Sequence, residues 1–205
     1  IQFAIRELLT VCLGRRILVW GGHPAITPMV WAVCEDLDVA YSKAVVLYQS
    51  KLFADVFPEE NQRFANCVYV DAVDADRAKS LEHMRMRMLS QDFEAGVFIG
   101  GMEGIADEHK LFANLHPNAK VIAVSSPGGA AQQLATTLGQ LNERIDFARM
   151  FYEQLGVDIA ERVEFFGGVG VDSSADGRES GRDEPNRIAI SLEEIIKGRG
   201  LAERM

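Results

Sequence analysis

The 205-residue sequence predicts an α/β fold, an open and mostly parallel sheet with helices on both faces. Three observations carry this expectation. Short apolar runs at Ile17–Trp20, Ala44–Tyr48, Cys67–Val70, Gly96–Ile99 and Lys120–Val124 have the length and β-branched content of strands. Most are apolar throughout, as suits parallel strands covered on both faces. They alternate with helical segments, which is the order produced by right-handed strand–helix–strand crossovers. Glycine pairs follow three of them, at Gly21-Gly22, Gly100-Gly101 and Gly128-Gly129.

Taken in order, Gln2 to Leu13 places Phe3, Ile5, Leu8, Leu9 and Cys12 on one helical face, and Gly14 ends it. The first strand, Ile17–Trp20, runs into Gly21-Gly22 and the turn His23-Pro24-Ala25-Ile26. A helix follows to Leu37, with Thr27 as the expected N-cap and Pro28 at the first helical position. After the second strand, Lys51 to Asn66 contains Pro58 and a polar stretch, and reads as a long connection with at most a short helix. The third strand leads to the clearest helix, Asp76 to Gln91, with Leu81, Met84, Met88 and Leu89 as its stripe and Asp74 or Asp76 as its cap. The fourth strand opens the segment AGVFIGGMEGIADE, and its helix continues through ADEHKLFANL. The fifth precedes Ser125-Ser126-Pro127-Gly128-Gly129 and a helix from Ala130 to Leu138. Asn142 to Leu155 reads as a further helix ended by Gly156, and Val163–Phe166 as a candidate strand. Residues 172–186 are rich in turn formers and nearly free of apolar side chains, which reads as a mobile loop or linker. Ser191 lies three residues before Glu194, a capping-box spacing that predicts a short closing helix from Ser191 to Lys197. The expected organisation is one domain over residues 1–171, the loop at 172–186, and a helical segment at 187–205.

Composition narrows the function. With 48% hydrophobic and 25% charged residues, the chain is ordinary for a globular protein. A net charge of −9 and the lack of a basic stripe argue against non-specific nucleic-acid binding. No apolar run approaches the length of a membrane span, so no membrane partner is expected. The three cysteines, Cys12, Cys34 and Cys67, have no metal-ligand spacing and read as buried thiols of a cytoplasmic protein. The start at Ile1 reads as a trimmed piece of a longer chain.

The segment from Ala95 to Glu108 is a strand, a glycine turn and a helix. That order aims unpaired backbone N–H groups at the turn, where an anion can sit. In open parallel sheets, ligands bind beyond the carboxyl ends of the strands, near the reversal of strand order. The turns after strands one, four and five are therefore expected to line one crevice. Its candidate phosphate or nucleotide contacts are Gly21, Gly22, His23, Gly100, Gly101, Met102, Glu103, Gly104, Ser125 and Gly128. Arg85, fifteen residues before Gly100, could fork onto a phosphate or sugar hydroxyl, with Arg87 as its competitor. Glu108 could accept from ribose hydroxyls or stabilise positive charge at an anomeric carbon, with Asp107 and Glu103 as alternatives. His83, His109 and His116 form no ligand set with Cys or carboxylates, so neither a metal site nor a cofactor is expected.

GGMEGIADE resembles the glycine–glycine–x–glycine–threonine–x–x–glutamate signature of the SLOG superfamily. That superfamily includes the LOG-type nucleotide phosphoribohydrolases, the DNA-processing protein of natural transformation, and nucleotide-sensing modules of ion channels and bacterial defence systems. VWGGHPAITPMVWA resembles the phosphate turn after strand one of SLOG modules, particularly the defence-associated ones. The resemblance covers roughly Arg16 to Leu138 and implies a Rossmann-like fold. By position, Arg85 matches the arginine of the LOG helix and Glu108 the closing glutamate, a pair that in LOG enzymes works on the N-glycosidic bond of a nucleoside 5′-monophosphate. The chain departs from the pattern in four places. One extra residue lies between Gly101 and Gly104, Ile105 replaces Thr, Ile99 replaces Pro, and HMRMR replaces Met-His-x-Arg-Lys. These departures weigh more against hydrolysis than against binding.

The resemblance thus implies a module, within a larger bacterial protein or defence system, that senses a nucleotide or a nucleotide-derived signal such as an NAD-derived or cyclic one. The alternative is an active phosphoribohydrolase. It also implies self-association, with a homodimer as the default. Arg85 and Glu108 converging at an open crevice would favour the enzyme. A crevice that separates or blocks the pair would favour the sensor, and a filled one would sink both.

Overall fold

A computed structural model of the chain describes residues 1–141, 146–161 and 186–193. Its elements in order are α1 (Gln2–Cys12), β1 (Ile17–Gly21), α2 (Thr27–Leu37), β2 (Val45–Ser50), β3 (Asn66–Val70), α3 (Arg77–Met88), β4 (Ala95–Gly100), α4 (Glu103–Leu115), β5 (Lys120–Val124), α5 (Gly129–Leu138), α6 (Phe147–Leu155) and β6 (Arg187–Glu193). The strands form one six-stranded sheet in the order β3-β2-β1-β6-β4-β5. Every pairing is parallel, with Trp20 opposite both Leu47 and Ile190, and Val97 opposite both Ile122 and Ile190. This is the expected Rossmann-like α/β arrangement.

Alternating strand residues build an apolar layer on each face. Leu18, Trp20, Leu47, Val97, Ile99, Ile188 and Ile190 pack with α1, α2 and α6. Ile17, Val19, Val46, Tyr48, Phe98 and Ala189 pack with α3, α4 and α5. Right-handed crossovers require this division. Steps from β1 toward β3 place α2 on one face, and steps from β3 through β5 place α3 and α4 on the other.

The capping residues largely follow local chemistry. Asp76 accepts from the Lys79 N–H at 2.9 Å and starts α3, and Asp146 accepts from the Arg149 N–H at 3.0 Å and starts α6. The sequence placed the start of α6 at Asn142, but residues 142–145 lie outside the described residues. Thr27 is not the cap of α2 but its first residue. Its hydroxyl donates to the His23 carbonyl at 3.0 Å, and Ile26 takes the cap position. The long connection after β2 carries two 3-10 turns, Lys51–Val56 and Glu59–Arg63.

The main correction falls at the C-terminal end. Ser191 does not cap a helix; it lies inside β6, between β1 and β4. The capping-box spacing is a local signal. It loses to the burial of Ile188-Ala189-Ile190 and to ladder hydrogen bonds on both sides. The candidate strand at Val163–Phe166 and residues 172–185 of the expected loop lie outside the described residues, as do residues 194–197.

Candidate functional site

α3 lies over β2 and β1, while α4 lies over β6 and β4, so β6 sets the two helices apart on the same face. Between them runs an open groove of about 560 Å³. Arg77, Leu81 and Arg85 recur at four-residue intervals and line its α3 side, while Ser80, Met84 and Met88 turn into the core. Met102, Gly104, Asp107, Lys110 and Leu111 line the other side, with Ile105 and Phe112 buried beneath. The groove thus has an apolar bed of Leu81, Leu111 and the half-exposed Met102. Among the described residues, three cations, Arg77, Arg85 and Lys110, and two carboxylates, Glu82 and Asp107, stand around it. Among the described residues, the side chains of Arg77 and Lys110 have no hydrogen-bond or ion-pair partner.

Arg85 and Glu108 meet. The Arg85 Nε donates to Glu108 Oε1 at 2.9 Å, with 16% and 18% of the two side chains exposed. The second carboxylate oxygen, Oε2, accepts from the Ser191 hydroxyl. Ser191 is buried on the same sheet face as Ala189. Glu108 is therefore held from two sides. It borders a separate small cavity of about 10 Å³, walled by Met88, Leu89, Phe98, Phe112, Ala189 and Ile190. His109, the next residue on α4, sets its ring edge-on to Phe98 at 5.5 Å, and burial lowers its pKa.

The turn between β4 and α4 is shaped by its glycines. Gly100 and Gly101 have φ of 68° and 76°, and both are buried. The Ala130 N–H donates to the Gly101 carbonyl at 2.9 Å, which docks the start of α5 onto this turn. A Cβ on Gly129 would lie 2.4 Å from that same carbonyl oxygen. No side chain caps α4 at Met102, and Gly104 in its first turn borders the groove.

The expected site residues divide accordingly. Arg85, Met102 and Gly104 line the groove, with Glu108 against Arg85. Gly100 and Gly101 form the turn behind it, and Gly128 leads the α5 turn that docks there. Glu103 begins α4, but its side chain lies outside the described residues. Gly21, Gly22, His23 and Ser125 do not line this groove. A Cβ on Gly22 would fall 2.0 Å from Gln49 Nε2, and the Gly22 N–H donates to the Tyr48 carbonyl at 3.1 Å. His23 shapes its own turn, its carbonyl accepting from the Ile26 and Thr27 N–H groups at 2.9 Å.

The sequence reading missed Arg77, Lys110 and Ser191. The four-residue spacing Arg77-Leu81-Arg85 was a usable signal. Ser191 had none until β6 was recognised as a strand. Among the described residues, no group of His, Cys, Asp or Glu could hold a metal ion, and no helix is long and apolar enough to cross a membrane.

A family model described as the SLOG cluster3 family matches residues 1–155. Neither a curated protein nor a solved structure matches the chain. The matched span holds the groove, Arg85 and the glycine turn through Glu108, and ends before β6. The chain belongs to the SLOG cluster3 family.

Proposed function

We propose that the chain is a sensing module that binds a nucleotide or nucleotide-derived ligand in the groove between α3 and α4. The observation that carries this reading is Arg85. Its Nε is tied to Glu108, while the side chain borders the groove. A guanidinium held at Nε keeps its terminal nitrogens for an anion in a fixed fork, and little ordering entropy remains to be lost on binding. The groove volume falls in the range of small-molecule sites, about 300–1,000 Å³. Leu81, Leu111 and Met102 offer apolar surface for a base, and Asp107 and Glu82 offer acceptors for ribose hydroxyls. Membership of a SLOG family supports a nucleotide-related role.

A second reading, phosphoribohydrolase activity, is favoured by the 2.9 Å approach of Arg85 and Glu108 beside an open groove. We favour binding without turnover because both Glu108 oxygens are engaged, by Arg85 and by Ser191. The carboxylate must leave one of them to support charge at an anomeric carbon.

The test is a thermal-shift screen with nucleoside monophosphates, NAD, ADP-ribose and cyclic nucleotides, followed by chromatography for released base. A ligand at 100 times its dissociation constant stabilises the fold by about 2.7 kcal/mol. For a chain of this size that raises Tm by about 5–10 °C. Stabilisation that is lost in Arg85→Met, with no base released, is the expected result. Released base would establish the second reading, and no shift with any nucleotide would overturn both.

A further inference from the structure

We propose that Ser191 is a positioning residue for the groove, acting through Glu108 on Arg85. The assignment rests on the ligand-binding reading above and extends it to β6, outside the family-matched span.

The pleat of β6 sends alternate side chains to opposite faces of the sheet. Ile188 and Ile190 join the layer under α1, α2 and α6, so Ala189 and Ser191 face α4. Ser191 is 6% exposed, and its hydroxyl donates to Glu108 Oε2. The other oxygen accepts from Arg85 Nε at 2.9 Å. A glutamate carboxylate bonded through one oxygen still turns about its last torsion, which has a broad, shallow preference. Bonding the second oxygen fixes the carboxylate plane. A fixed plane in turn fixes the guanidinium that donates to it.

The surroundings make the bond count. Met88, Leu89, Phe98 and Phe112 wall the small cavity beside Glu108 and Ser191, so the two polar groups meet in an apolar setting. Hydrogen bonds to charged groups are stronger there than in water. That pocket, at about 10 Å³, is at the lower limit for one water molecule, so the hydroxyl has little competition from water for Glu108 Oε2. A line of three groups therefore runs from the centre of the sheet to the groove wall: Ser191, Glu108, Arg85.

The experiment compares wild type with Ser191→Thr and Ser191→Val. These variants match in shape and differ in the hydroxyl. Ser191→Ala is added because it removes the hydroxyl without adding bulk, should the branched variants fold poorly. The first readout needs no ligand: the hydrogen-exchange rate of the Arg85 Nε–H, measured by 15N NMR. The second is the dissociation constant for AMP by calorimetry.

We expect exchange about tenfold faster in the Val and Ala variants, with Thr near wild type, in line with loss of one charge-assisted hydrogen bond. AMP affinity should fall about tenfold in the same two variants and recover in Thr. Exchange rates that do not follow the hydroxyl would overturn the assignment. Exchange that follows the hydroxyl while AMP affinity stays constant would overturn its bearing on the ligand. If wild type binds no AMP or other nucleotide, the ligand reading fails, and the exchange rates alone still decide whether Ser191 positions Arg85.

Discussion

Replacing Glu108 by Gln removes one charge and almost nothing else. The amide keeps an oxygen to accept from Arg85 Nε, and the Ser191 hydroxyl can accept from its nitrogen. The loss is therefore the ionic part of the pair. Unit charges about 4 Å apart attract by about 4 kcal/mol at an effective dielectric of about 20. Both side chains are roughly one-sixth exposed, at 16% and 18%, so solvent weakens that figure without abolishing it. Hydrogen bonds to charged groups contribute about 1.5–3 kcal/mol net. We expect Glu108→Gln to destabilise the fold by about 2 kcal/mol, and to lower Tm by about 4–8 °C for a chain of this size. The assay is urea denaturation followed by circular dichroism, with Glu153→Gln as control. Glu153 pairs with Arg149 at 2.7 Å on an exposed helix face, with side chains 62% and 64% exposed, and its loss should be within error. A Glu108→Gln variant as stable as this control would refute the argument, because it would mean that the Arg85–Glu108 pair does not form in solution.

Three further outcomes follow from the packing. Burial against Phe98 holds the His109 pKa below its ordinary value of 6.5, so the unfolded chain takes up a proton before the fold does. Stability is then complete above about pH 6.5 and declines as the pH falls below it; His109→Phe should flatten this slope between pH 7.5 and 5.5, and an unchanged slope would contradict the assignment. Burial pushes the Cys12 and Cys34 thiols up to about 12, so a thiol reagent at pH 8 should leave them unlabelled until the protein is unfolded, with the half-buried Cys67 reacting first; native labelling of Cys12 would show that the α1 layer opens. Gly128→Ala meets open space at φ +80° and should cost about 1–3 kcal/mol. Gly129→Ala should cost more, because its Cβ would also press on the Gly101 carbonyl at 2.4 Å, and equal melting temperatures would refute the docking of α5 on the β4 turn.

The fold was largely readable because parallel strands covered on both faces are apolar throughout, a signal carried within each strand. Ile17–Trp20 and Gly96–Ile99 need no partner to be recognised. β6 was missed for the complementary reason. Its apolar core is only Ile188-Ala189-Ile190, it follows a polar stretch, and its place between β1 and β4 depends on partners more than 80 residues away in sequence. The pairing of Arg85 with Glu108 was suggested by resemblance, but the contact itself joins two helices and no periodicity encodes it. The glycine turns were correctly placed after strands, yet Gly22 is explained by the approach of Gln49 and Leu47, a crowding that only packing reveals. Arg77 and Lys110 lie on separate helices, and only the packing of α3 and α4 on either side of one opening makes them groove residues.

The most direct test is methyl NMR on protein labelled at its seven methionines, titrated with the nucleotide that gives the largest thermal shift. Met102 borders the groove and is 54% exposed, whereas Met29 and Met150 pack in the layer on the opposite face of the sheet. Ligand in the α3–α4 groove should shift the Met102 methyl in a saturable way and leave Met29 and Met150 unmoved. A saturable shift at Met29 or Met150 with Met102 still would place the ligand elsewhere and contradict the groove as the binding site.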